Sequence, residues 1–94
     1  MQLLSLFTLK KNEAGIIEKI DASLLPLSSK MVIEEIEARL LEMGFIEGAK
    51  VQVVFKGAFG DPIAVRINNN NSIISLRKNE SSIILVNMGK LTNE

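Results

Sequence analysis

The side chains able to do acid–base or ionic chemistry near neutral pH in this 94-residue chain are carboxylates, arginines and lysines, because it contains no histidine and no cysteine. Thiolate nucleophiles, disulfides, imidazole or thiolate metal ligands and the usual general base of neutral-pH catalysis are therefore excluded. Asp61, in "GAFGDP", is an acidic residue on a glycine-rich turn and invites a metal or catalytic reading. A lone Asp before Pro is a common turn initiator, however, and a bound metal ion needs several ligands converging in space. Glu34, Glu35 and Glu37 have helical spacing and could in principle meet a hard cation, but acidic residues on an outer helix face are ordinarily solvated. No catalytic residue, metal ligand or cofactor is expected from these groups.

The elements that must position these groups follow from pattern. A chain of this length forms one domain, expected over residues 1–94 with its core at about 4–86 and a frayed tail from Asn87. Hydrophobic residues at 47% and charged residues at 23% are ordinary for a globular fold. Eleven basic residues balance eleven acidic ones, so no net field favours nucleic acid or an anionic membrane. The apolar N-terminus lacks a basic flank and a cleavage site, and nothing approaches the roughly 18–20 apolar residues of a membrane span. A soluble, cytoplasmic protein is expected.

Ile16 and Ile20 are the expected inward pair of a first long strand, and "DASLLPLSSK" (residues 21–30) reads as a loop whose Leu24–Leu27 segment plugs the barrel mouth beside the helix, with a partner groove as the alternative reading. Val32, Ile33, Ile36, Leu40 and Leu41 then recur at helical spacing, with Ser28 or Ser29 as cap. Gly44 suits the left-handed residue that ends a helix, placing Phe45 over Leu40, and Gly48 suits the third position of a type II turn across Ile46–Ala49. Val51, Val53 and Phe55 alternate inward along a strand; Ile63, Val65 and Ile67 resume after the "GAFGDP" connection. The asparagines at 68–71 make a turn, and two short strands at 73–76 and 83–86 flank the polar corner "RKNESS". About five short strands and one helix give a mainly β fold, a small antiparallel barrel with the helix against one opening.

The pieces "LFTLKKNEAGIIEKI", "RLLEMGFIEGAKVQVV", "GAFGDPIAVRI" and "ISLRKNESSIILV" together resemble the FeoA family, small accessory proteins of bacterial ferrous-iron uptake. The resemblance spans roughly Leu4 to Val86. It implies an SH3-like barrel and a non-catalytic adaptor of FeoB, a membrane iron transporter with a cytoplasmic guanine-nucleotide-binding domain. The membrane would then be met only through the transporter. The chain departs from the family where Glu47-Gly48 replaces Pro-Gly, where a glycine near Asn12 is missing, and where residues 68–71 carry asparagine in place of a basic residue.

Among the residues, the expected partner surface is Phe59, Asp61, Arg77 and Lys78. Phe59, between two glycines on a hairpin tip, either folds back over the barrel end or stands out as an aromatic anchor. Of the three arginines, Arg66 falls mid-strand and Arg39 on the helix. Arg77, at an exposed corner and implied by the resemblance, is then the one candidate for an arginine supplied in trans to a GTPase; a structural role pinning that corner is its alternative reading. The rival function is a ferrous-iron carrier or sensor using carboxylates, disfavoured by the missing His and Cys. A weak homo-oligomer is left open.

Overall fold

The computed structural model describes residues 2–25 and 30–91. Strands β1 (Leu4–Ser5), β2 (Ala14–Ile20), β3 (Lys50–Lys56), β4 (Ile63–Ile67), β5 (Ile74–Leu76) and β6 (Ile84–Asn87) form one antiparallel sheet in the order β1-β6-β2-β3-β4-β5. Helix α1 (Lys30–Glu42) lies between β2 and β3, and a single helical turn, α2 (Lys78–Ser81), between β5 and β6. The sheet curls around a core that includes Leu6, Ile17, Leu40, Phe45, Val53, Val65, Leu76 and Ile84. Its seam is not a ladder: among the described residues β1 and β5 have no strand beyond them, and both are very short, which limits edge-to-edge pairing. Side-chain bonds to backbone tie the segments near the seam. The Lys56 ammonium donates to the Phe7 and Leu9 carbonyls at 2.8 and 2.9 Å, and the Ser5 hydroxyl donates to the Ser82 carbonyl at 2.9 Å.

The turns expected of the glycines are present. Gly44 has φ 105°, its N–H bonds the Leu41 carbonyl and that of Phe45 the Leu40 carbonyl, the paired bonds of a Schellman stop. Leu40 and Phe45 are both fully buried. Gly48 has φ 91°, and the Ala49 N–H bonds the Ile46 carbonyl across the turn at 3.1 Å. Asn68 and Asn69 both take positive φ, so the asparagine run is a turn.

Several sequence expectations are corrected, and two of them have one cause. Register shifts between Val53 and Phe55 on β3 and between Ile17 and Lys19 on β2, each leaving one extra residue on its strand. Such a bulge swaps the faces of all that follows. Phe55, expected inward, is thus half-exposed, while Lys56 turns to the core side opposite Ile63. On β2 the core residue is Ile17, not Ile16, and Ile20 joins it after the bulge.

On α1, Ile33, Ile36 and Leu40 face the core, but Val32 and Leu41 do not and are largely exposed. The polar corner is not a plain loop: it coils into α2, with Glu80 and Ser81 buried. Asn87 ends β6 buried, and a 3-10 turn, Met88–Leu91, follows, with Met88 against the core; residues 92–94 of the expected tail lie outside the described residues. The expected caps Ser28 and Ser29, and Pro26 and Leu27 of the barrel-mouth plug, lie outside the described residues; of that plug, Leu25 is buried in the core and Leu24 is exposed.

Candidate functional site

The β3–β4 connection and α2 meet at one corner. Gly57 is required there by close approach, since a Cβ on it would stand 2.9 Å from the Asp61 carbonyl oxygen, and its N–H bonds the Pro62 carbonyl at 2.7 Å. This places the Asp61 carboxylate beside α2. Its Oδ1 accepts the Lys78 backbone N–H at 3.0 Å, one of the orphan donors of a helical first turn, and its Oδ2 lies 3.4 Å from the Arg77 guanidinium. The ion pair itself contributes little, because the Arg77 side chain is 69% exposed.

A second carboxylate holds the corner from within. Glu80, at the third position of α2, reaches back so that Oε1 accepts the Arg77 N–H at 2.8 Å, as in a capping box. Its Oε2 pairs with the Arg39 guanidinium, which ties α2 to α1. The backbone of Arg77 is therefore fixed while its guanidinium remains accessible.

Phe59 is fully exposed, at 101% of its reference area, and sits in the left-handed region at φ 58°, ψ 24°. An L-residue with a large side chain is disfavoured there, and this ring gains no packing in return. The next residue, Gly60, adjoins a basic, aromatic cluster: a Cβ on it would stand 3.4 Å from Lys56 Cε and 3.5 Å from Phe7 Cζ. The ammonium groups of Lys56 and Lys78 lie 5.2 and 5.3 Å from the centroid of the Phe7 ring, within cation–π range.

Of the four expected surface residues, Asp61, Arg77 and Lys78 are in direct contact and Phe59 projects from the same connection, two residues before Asp61. Arg39 is committed to Glu80. Arg66 stands in β4 opposite Gln52, its Nε buried without a hydrogen-bond partner among the described residues. Sequence reasoning missed Phe7 and Lys56. They are 49 residues apart, and the second is turned inward by the bulge in β3, so no local pattern joined them.

Among the described residues, no group of three or more His, Cys, Asp or Glu is placed to hold a metal ion, and no helix is long and apolar enough to cross a membrane.

A family model of the FeoA domain matches residues 4–88. The chain belongs to the FeoA family. No curated protein matches it. Solved structures of FeoA proteins share the fold. An FeoA-like protein from Clostridium acetobutylicum superposes with a TM-score of 0.71 at 25% identity, over 94% of this chain and 88% of its own. Stenotrophomonas maltophilia FeoA, solved with zinc, gives 0.71 at 25% identity, over 92% of each chain. That protein is described as a prokaryotic SH3-domain protein and a candidate ferrous iron transport activating factor. This FeoA domain is accordingly an SH3-like barrel. A manganese-dependent transcriptional repressor shares the fold alone, with a TM-score of 0.73 at 14% identity, over 93% of this chain and 37% of its own.

Proposed function

We propose that this FeoA-family protein is a non-catalytic accessory of ferrous-iron uptake that binds the cytoplasmic part of a FeoB-type transporter and modulates its nucleotide cycle or assembly. Membership of the family and the activating role ascribed to the Stenotrophomonas maltophilia protein support the pathway. The contact surface is the corner bearing Phe59, Asp61, Arg77 and Lys78. One observation carries it: a phenyl ring held wholly in solvent, in a backbone conformation that disfavours it, on the connection whose Asp61 pairs with an accessible guanidinium. Exposed aromatics and arginines of this kind dominate small interfaces. In this reading Asp61 positions the other side chains and does no chemistry.

A binder shifts an equilibrium only by preferring one state of its partner, so affinity must depend on the transporter's nucleotide. The test is an amide chemical-shift titration of the labelled protein with the soluble nucleotide-binding domain of its transporter, in GDP and in a GTP analogue. Shifts are expected at 57–61 and 76–79, differing between nucleotides, and weakened in Phe59→Ser and Arg77→Ala. Folded variants that bind like the wild type would refute this surface. A large rise in GTP turnover that vanishes only in Arg77→Ala would replace modulation by direct catalytic assistance.

A further inference from the structure

Helix α1 carries more apolar surface than the sheet covers. Leu41 is 51% exposed, as is Ile46 in the turn that follows. Leu41 lies in a groove between α1 and β2 that Ile20 and the fully buried Phe45 also line, and where Glu37 and Glu47 outnumber the single base Lys19; Glu18, also lining it, is already engaged. Glu37 and Glu47 join no ion pair among the described residues. Glu47, in the turn that follows the Gly44 stop, adds its charge to the same groove. Arg39, the basic residue of the last turn, is engaged by Glu80 and does not offset it. An apolar strip edged by two carboxylates that join no ion pair among the described residues is complementary to a segment with an apolar stripe edged by cations.

We propose that this flank of α1 docks a basic amphipathic segment of a partner protein, with an apolar side chain seated on Ile20 and Leu41 and lysine or arginine side chains on Glu37 and Glu47. The surface is separate from the Phe59 corner and does not depend on it. Apolar contact gives the groove its affinity, and the carboxylates select the sign and orientation of the segment.

The probes are three synthetic helical peptides: one of alternating Leu and Lys faces, one with its Lys changed to Glu, and one with its Leu changed to Ser. Each is titrated into the labelled full chain at about 0.15 M salt, where long-range attraction is screened. The Leu/Lys peptide alone is expected to bind, shifting Lys19, Ile20, Glu37 and Leu41. Both the Glu37→Lys/Glu47→Lys and Leu41→Ser variants should weaken it by about tenfold or more, a loss readily resolved by titration. Glu35→Lys/Glu42→Lys, which alters a different groove by the same charge, should leave binding unchanged, as should Phe59→Ser. Equal binding of the Leu-to-Ser peptide, or equal weakening by the Glu35/Glu42 control, would reduce the effect to net charge and overturn the proposal. So would absence of binding by the Leu/Lys peptide.

Discussion

Replacing Phe59 by glycine separates stability from binding at one residue. The ring is fully exposed, so its removal forfeits no buried apolar area. The backbone at φ 58° costs an L-residue about 1–2 kcal/mol relative to glycine, which is indifferent to the sign of φ. Glycine returns about 0.5–1 kcal/mol of that through the extra freedom of the unfolded chain. The balance is a gain of about 0–1.5 kcal/mol, with its midpoint at about 0.75 kcal/mol. For a domain of this size each kcal/mol moves Tm by about 4–8 °C, so at the midpoint thermal unfolding should rise by about 3–6 °C. Binding of the transporter's nucleotide-binding domain should fall in the same variant. Thermal denaturation followed by circular dichroism and the amide titration read the two effects separately. A fall in Tm would mean that the ring packs against the barrel in solution and that its exposure is no mark of a binding surface. Unchanged binding with a raised Tm would leave the strain without a function.

Two further outcomes follow from the same geometry. Glu80→Ala removes the buried carboxylate that accepts from Arg77 and pairs with Arg39, and should cost about 1.5–3 kcal/mol in urea unfolding, since the bonds lost are charge-assisted; Glu80→Gln should recover part of it. Asp21 accepts from the Ser23 hydroxyl at 2.5 Å and the Ser23 N–H at 3.2 Å, and the hydroxyl bond chiefly holds its carboxyl below the usual aspartate range, with Lys19 adding a smaller pull. Its stabilising contribution is present above the unfolded aspartate pKa and is lost as pH falls through the depressed folded value. A carbon-detected NMR titration should show Asp21 titrating early among the carboxylates on alkalinisation, and Ser23→Ala should raise it.

Much of the site was legible in single residues and little of it in their relations. Asp61 and Arg77 stood out as a turn aspartate and a corner arginine, and the contact between them needed only that both corners fall at one end of the barrel. The aromatic cluster was illegible because Lys56 reads as the outward residue of a strand whose alternation is broken by a bulge. Likewise, the corner "RKNESS" reads as polar loop, and nothing in its composition reveals that Glu80 would be buried against an arginine of α1.

What the sequence by itself determined is what depends on residues within a few positions of one another. The helix stop at Gly44 with Phe45 over Leu40, the type II turn at Gly48 and the turn at Asn68–Asn69 all follow from backbone preferences that no distant contact had to supply. The tertiary structure alone decided which faces are buried beyond the bulges, and how far the apolar stripe of α1 is covered. Strand register is set jointly by two partners, so one extra residue opposite Val65–Ala64 or Val86–Leu85 reverses every later side chain. The same limit applies to Leu41: its spacing marks it as apolar helix surface, but only the extent of the sheet beneath α1 determines that it faces solvent.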